Sequence, residues 1–488
     1  MKHILLKSLS LLMVISMLLA ACGSPVAPTA EPKQTAVPAT AVPIVAATEA
    51  PTESATAAPA SGAPVKITIF VGFGTGGDPG QSVLEDAIAK EFNSSHKDIQ
   101  IEFLYINHDE AGAKFATMTA SNQSPDIVMP LGIAGMNSYI DEWLDIAPYL
   151  KKDNYDTSDY LGSAVNLLAT AGKGTLGMPI GVYPTVVYYN VDMFDAAGVD
   201  YPPHKFGDTT WTYDKVTEIA KKLTKDKAGN NADSPDFKWK DASQWGWAGW
   251  GGQYQMVVEQ WGANPLGVST DYKTAQFTDA KWAQASQWYY DSIWTWHIRP
   301  TEDQNSPYGW DTFSAGKSAM LENFSWQSWA WADWQKAFKW DVATVPAGPN
   351  GDVISPTNAD VMAIPAKAKN PDQSWEVIKW MSQPDIMNRL CKIYGCIPVR
   401  KSLAAGWVKD RTAEFPGVDF QVFIDSIEHM DANPNVESWI PNWPDMTAAI
   451  NKLDSGMQTG EVKNVKDALN TLNTSAQAIL DTYWASHK

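Results

Sequence analysis

Cys22 closes the run Leu19-Ala20-Ala21-Cys22, behind two lysines, Lys2 and Lys7, and an apolar stretch from Leu9 to Ala20. Small residues before a cysteine fit a narrow signal-peptidase cleft, and cleavage there frees an N-terminal thiol able to carry a lipid. The apolar stretch falls short of the ~20 residues that a spanning helix needs. Residues 1–22 are therefore expected to be a lipoprotein signal with Cys22 as the lipidation site; an uncleaved anchor helix is the alternative. Everything downstream would then work outside the cytoplasm, lipid-anchored to the cell membrane.

A second chemical signal is Gly72-Phe73-Gly74-Thr75-Gly76-Gly77, a G-x-G-x-x-G match between a strand pattern and a helix pattern. Such glycines let backbone approach a phosphate, as in dinucleotide sites. An exported protein meets little free nucleotide, so the preferred reading is a flexible loop at the carboxyl end of a strand, where open α/β sheets bind ligands. Asp226-Lys227-Ala228-Gly229-Asn230-Asn231-Ala232-Asp233 faintly resembles a calcium loop, but alternate oxygens and a closing Glu are missing, so a solvated loop is expected. No H-E-x-x-H or G-x-S-x-G occurs, and no carboxylate pair stands out. The expectation is a protein without cofactor, metal or catalytic residue. Cys391 and Cys396 are left once Cys22 is lipidated; an exported compartment permits a disulfide between them, with two free or buried thiols as the alternative.

Tryptophan carries a further signal. Of 23 tryptophans, many crowd between Trp239 and Trp340. That is more than a core needs, so several are expected to line a cleft. Trp245, Trp247 and Trp250 alternate with Gly246 and Gly249, leaving room over a ring face. A pyranose has an apolar C–H face that stacks on indole and hydroxyls that bond to Asp, Asn, Gln or Arg. Trp326, Trp329, Trp331 and Trp334 have mixed spacing, so core and cleft roles should divide among them.

The elements that must position these groups follow from periodicity. Residues 23–64 are rich in Pro, Ala and Thr with almost no large apolar residue, and read as a disordered tether. Val65–Val71 alternates as a strand; Val83–Phe92 reads as a helix; Ile99–Tyr105 and Asp126–Met129 are strands, with a helix near Ala111–Ala120 between them. This alternation points to a parallel α/β lobe. Asp214–Leu223, capped near Thr210 or Thr212, Asp372–Met381 and Val465–Leu480 read as helices. The body after the tether is too long for one ordinary core. The formal charge of −18 becomes −20 once Lys2 and Lys7 are removed, which disfavours nucleic acid and anionic lipid as partners.

Several short motifs, in order, resemble the family 1 extracellular solute-binding proteins of ABC importers, the group that includes maltose-binding protein. They are Ser124-Pro125-Asp126-Ile127; Gly177-Met178-Pro179 followed by Val187-Tyr188-Tyr189-Asn190, Met193-Phe194 and Ala197-Gly198; Thr210-Trp211-Thr212-Tyr213-Asp214; Phe313-x-x-Gly316-Lys317-x-Ala319-Met320; and Gly395-Cys396-Ile397-Pro398-Val399-Arg400. The resemblance covers residues 65–488. It departs from the family pattern at Phe324, where a Gly is common before Ser325-Trp326, and at Thr357-Asn358-Ala359-Asp360, where a double glycine is common.

The resemblance implies an α/β, two-lobed periplasmic-binding-protein-like fold with a hinge and an interlobe ligand cleft. Crossings would fall near Tyr183–Thr185, Val342–Pro346 and Gly395–Pro398. The lobes would be 65–183 with 346–394, and 186–340 with 397–488. It implies a monomeric receptor that binds a sugar or oligosaccharide and delivers it to the transmembrane subunits of an ABC importer, and that hydrolyses nothing. The stacking residues expected are Trp250, Trp326, Trp439 and Trp443, with Tyr254 and Trp310 behind them. The polar set is Asp126, Ser325, Asn358, Asp360 and Arg400, with Gly74 and Thr75 in the glycine loop and Tyr183 at the hinge. The competing classes are a secreted glycoside hydrolase, an exported dinucleotide-dependent oxidoreductase, and a receptor for a peptide, polyamine or glycerol phosphate.

Overall fold

The computed structural model describes residues 63–162, 164, 173–249, 254–309, 311–430 and 436–487. Cys22, the signal, all but the end of the tether, Trp250 and Trp310 lie outside them. Residues Gly62–Lys488 form one compact unit.

Strand β1 (Val65–Val71) pairs in parallel with β2 (Ile99–Tyr105) and with β3 (Ile127–Gly132). Helices Pro79–Ser95 and His108–Ala120 make the crossovers. The sequence patterns locate these elements to within a few residues, since alternation and helical period were both clear. The sheet is not purely parallel, however. β10 (Thr357–Ala363) enters between β3 and β4 (Met178–Asn190) and runs antiparallel to both. Between β4 and β10 the chain forms the short strands β5 (Lys225–Asp226), β6 (Ala242–Gln244) and β7 (Ala248–Gly249), then β8 (Met320–Phe324) and β9 (Trp340–Ala343), both of which pair with β4 in the same sheet.

β4 joins the two halves of the molecule. All thirteen of its residues are buried. Its first half pairs with β10 and with β11 (Ile397–Pro398); its second half pairs with β8 and β9. Along the second half, Val186 and Tyr188 pack into one core and Val187 and Tyr189 into another. Alternation along a strand sends successive side chains to opposite faces, so one strand supports two cores. Thr185 marks the junction: its hydroxyl donates to the Pro356 carbonyl at 2.7 Å, and the Ser355 hydroxyl donates to the Thr185 carbonyl at 2.8 Å.

Most of the tryptophans serve these cores. Trp245, Trp247, Trp331 and Trp334 are each at most 2% exposed. Trp329, on the same helix as Trp331 and Trp334 (Ser328–Ala337), is 55% exposed. The helix turns one side to Tyr188 and Trp340 and leaves Trp329 on the other. An expectation that the glycine-spaced Trp245 and Trp247 face a ligand is thus corrected: both fill the core.

The turn after helix Pro384–Tyr394 is made by Gly395 at φ 74°, and Cys391 is joined to Cys396 across it. The Asp226 loop is held by its own carboxylate, which accepts from the amides of Ala228, Asn230 and Lys238 and from the Asn230 side chain. Both oxygens are engaged within the loop, and Asp226 itself is buried. The helix Tyr213–Leu223 is capped by Thr212, whose hydroxyl accepts from the Lys215 amide.

His204 ties the Tyr201–Phe206 segment to β9. Its Nε2 lies 3.1 Å from Asp341 and its Nδ1 3.3 Å from Asp419. The hydrogen bond to Asp341 is the main cause that raises the imidazole above its ordinary value, against burial, which lowers it. A raised folded value means the stabilisation is complete below about pH 6.5 and fades as pH rises through that value. The melting-temperature advantage of the wild type over H204Q should therefore shrink between pH 6 and pH 9. An advantage independent of pH would show that His204 acts by packing alone.

Candidate functional site

β1 ends at Val71, one residue past Phe70, which pairs with Val128, while β3 runs on to Gly132 opposite Asp360; open α/β sheets bind ligands beyond such carboxyl ends. The glycine loop follows β1 and folds over β3: a side chain at Gly74 would meet Pro130 at 3.3 Å. The Gly76 amide donates to Gln81 Oε1 at 2.9 Å, and Gln81 in turn donates to the Ile393 carbonyl at 2.8 Å. Gly76 has φ +106°, and a Cβ there would meet Glu85 Oε1 at 2.7 Å. The loop is thus packed onto its own helix, with an amide already engaged that a phosphate cradle would use. Beside it, the Thr75 hydroxyl is buried without a hydrogen-bond partner.

The floor of the site is the first half of β4 and the start of β10. Tyr183 stands opposite Asn358, and Gly181 opposite Asp360. The buried Tyr183 hydroxyl donates to Asp360 Oδ2 at 2.7 Å. Burial pushes the Asp360 carboxyl up to about 6, with the Tyr183 bond opposing. Asn358 Oδ1 is buried without a partner. One residue beyond the β8 position that pairs with Thr185, the Ser325 hydroxyl is fully buried and also unpartnered. Trp326 follows, half-buried, its ring 6.3 Å from Phe324. Buried polar atoms left without partners are uncommon in native proteins. Here Asn358 and Ser325 lie at the strand junction and Thr75 in the loop after β1, and a polyhydroxyl solute could satisfy such atoms.

On the other side of the junction, Tyr254 precedes helix Gln255–Gln260. It is 2% exposed, packs on Trp282 and Tyr289, and its hydroxyl has no partner. The cavity that it shares with Trp247, Tyr289, Arg299 and Glu322 measures about 20 Å³, room for one water and no sugar. Glu322 in that cavity is raised to about 7 by burial, against hydrogen bonds from Gln260 and Tyr213. Arg299 stacks over Tyr289 at 4.2 Å.

Other expected site residues are occupied elsewhere. Asp126 sits at the entry of β3, the end away from Gly132. Its carboxylate accepts from the Thr68 amide (3.0 Å) and from Asn370 (3.1 Å), so it stitches strand to helix and leaves the ligand set. Arg400 bonds Asp159 at 3.2 Å and the Ser382 carbonyl at 3.0 Å and stacks on Tyr160. It anchors the segment after β11, and it too leaves the set. Trp439 packs against Tyr272 and Tyr483, and Trp443 begins helix Trp443–Thr459 against the second core. The structure brings Tyr183, Asn358, Asp360, Ser325 and Trp326 to the junction and leaves Thr75 in the loop after β1. It adds Asn137, on helix Ile133–Ser138 just after β3, whose Oδ1 is buried without a partner. Only its position directly after a strand's carboxyl end could have signalled it.

Residues 87–416 match the model of a family described as bacterial extracellular solute-binding protein. A binding protein of Brucella abortus is 21% identical over 333 residues, 65% of this chain and 73% of its own. Among solved structures, an ABC substrate-binding protein of Listeria monocytogenes in complex with cycloalternan superposes with a TM-score of 0.68 at 21% identity, covering 86% of this chain and 99% of the other. A cyclic α-maltosyl-1,6-maltose binding protein from Arthrobacter globiformis gives 0.67 at 18% identity, covering 86% and 100%. These likenesses show the fold, mixed α/β and two-lobed.

Proposed function

The chain belongs to the bacterial extracellular solute-binding protein family, and from that premise we propose that it is the sugar receptor of an ABC importer. The family places it outside the cytoplasm. A neutral sugar or oligosaccharide would enter between the lobes, stack on Trp326 and bond to Thr75, Asn358, Ser325 and Asp360. Contacts to both lobes would favour the closed state, which the importer's transmembrane subunits would recognise. In this reading Cys22 carries the lipid anchor, the protein works as a monomer, and the lobes are 65–183 with 346–394 and 186–340 with 397–488.

The observation that carries the proposal is the pair of unpartnered buried polar atoms of Asn358 and Ser325 beside a half-buried indole at the strand junction, with that of Thr75 in the loop after β1. Similar structures were solved with cycloalternan, mannotriose and acarbose, which supports an oligosaccharide. A thermal-shift screen with these sugars, amino acids and polyamines tests it, since a ligand of the folded state raises the melting temperature. A shift with a sugar and no release of shorter products supports a receptor. Steady product release would instead favour a glycoside hydrolase, and a shift only with another class would overturn the sugar assignment.

Two substitutions are informative within that screen. Trp326→Ala should weaken sugar binding about tenfold or more, since a stacked aromatic anchor contributes on the order of 1–3 kcal/mol. Asn358→Ala should weaken it while raising ligand-free stability slightly, because a buried unpartnered acceptor is removed. Titration calorimetry and thermal melts read both; unchanged affinity for Trp326→Ala removes that residue from the site.

A further inference from the structure

The segment Val436–Ile440 lies between two cores. Ile440 belongs to the second core, beside helix Trp443–Thr459, and Trp439 packs on Tyr272 and Tyr483 of the same region. Val436, at its other end, belongs to the first. Between them, Glu437 reaches helix Ile133–Ser138, which follows β3 and packs through Ile133 and Met136 into the first half of the molecule. Glu437 Oε2 accepts from the Ala134 amide at 3.3 Å, and its backbone carbonyl accepts from Asn137 Nδ2 at 2.5 Å. A part charged, part neutral pair of hydrogen bonds thus ties the segment between the two cores to helix Ile133–Ser138, through Glu437, which the stacking and polar set of the ligand site does not include.

We propose that Glu437 and Asn137 form a clasp that holds the two lobes together over the cleft and sets how long a bound solute stays. This rests on the two-lobed receptor reading. The physical basis is a population argument. When only the closed form retains ligand, apparent affinity scales with the closed fraction, so a lobe-to-lobe contact that favours the closed form tightens binding. A carboxylate accepting a backbone amide is a charge-assisted bond, and removing one is worth about a tenfold change in that population. The clasp therefore acts mainly on the dissociation rate, since the entry path is unchanged.

The test has a ligand-free arm and a ligand arm, both on the full chain. In the first, hydrogen exchange and small-angle scattering compare the wild type with E437A, E437Q and N137A. The clasp predicts faster exchange in residues 133–138, unchanged exchange in β1, and a larger radius of gyration for E437A and N137A. E437Q, which keeps an acceptor oxygen, should lie between E437A and the wild type. Equal radii and equal exchange across all four proteins would overturn the clasp, as would a rise in exchange across the whole body, which marks a general loss of fold. In the second arm, cycloalternan and acarbose are the probes. Dissociation about tenfold faster for E437A, with association unchanged, supports the clasp; dissociation unchanged from the wild type overturns it. If neither sugar binds the wild type, the sugar assignment fails while the first arm still decides the clasp.

Discussion

Gly181→Ala is expected to cost about 3 kcal/mol or more of folding stability and to abolish ligand binding with it. Gly181 lies in the first half of β4, opposite Asp360 on one side and Pro398 of β11 on the other. A Cβ there would overlap Cys396, both its Cβ and its Sγ, and would stand 2.9 Å from Cys391 Sγ. None of these atoms is free to move. The two sulfurs are bonded to each other, both cysteines are fully buried, and the Cys396 carbonyl accepts from Trp407 Nε1 at 3.0 Å. Overpacking a core typically costs about 1–3 kcal/mol, and the upper end applies where neighbours cannot relax. The strain falls on the strand that joins the two halves, so the position of Tyr183 and Asp360 would shift too. Urea denaturation of the variant measures the loss. A midpoint within error of the wild type would mean that β4 and the Cys391–Cys396 turn can separate without penalty, contrary to their packing.

Glu85→Gln should raise stability at pH 8 by about 3 kcal/mol while leaving it nearly unchanged at about pH 4. Glu85 is fully buried beneath Gly76, with Tyr394 donating to its Oε1 at 2.7 Å and its Oε2 without a partner. Burial pushes its carboxyl up to about 7, with Tyr394 and Tyr105 pulling it down and Asp86 adding to the rise. A carboxyl raised in the folded state binds its proton more tightly there than in the unfolded chain. Stability is therefore highest below about pH 4.5 and falls as pH climbs through 7. A shift from 4.5 to about 7, at 1.36 kcal/mol per unit, gives about 3 kcal/mol. Glutamine keeps the acceptor for Tyr394 and carries no charge to bury. Asp360 and Glu322, raised to about 6 and about 7, add losses of the same sign. The wild type should thus lose stability steadily from pH 5 to pH 8, and E85Q should lose less. Parallel curves for the two proteins would place the proton elsewhere.

How far the sequence could be read depended on the range of the interaction involved. The strands at Val65–Val71 and Ile99–Tyr105 and the helix at Tyr213–Leu223 show their own periodicity, and the structure places them where that periodicity does. The antiparallel entry of β10 has no local signature, because it depends on the path taken by the 166 residues between Asn190 and Thr357. The site shows the same division. Ser325, Trp326, Asn358 and Asp360, all proposed for the site, stand where the chain departs from the family's usual motifs, and they were named from that position and their chemistry. Asp126 and Arg400 carry the same chemistry and stand in the family's motifs, yet their polar atoms are engaged by Asn370, Asp159 and Ser382, residues remote in sequence. Asn137 was missed because nothing near it distinguishes it from a surface asparagine.

The sequence by itself determined the fold class and the family, and it is also what the expected division into signal, tether and body rests on. Each of these is written in local pattern: apolar period, composition, and short motifs in a fixed order. Tertiary structure alone decided which tryptophans are core and which are exposed. Trp331, Trp334 and Trp329 share one helix, and only its packing against Tyr188 and Trp340 separates them. It also decided which polar atoms remain without partners. A side chain's chemistry is fixed by its type, but whether that chemistry is available depends on the groups that folding brings beside it.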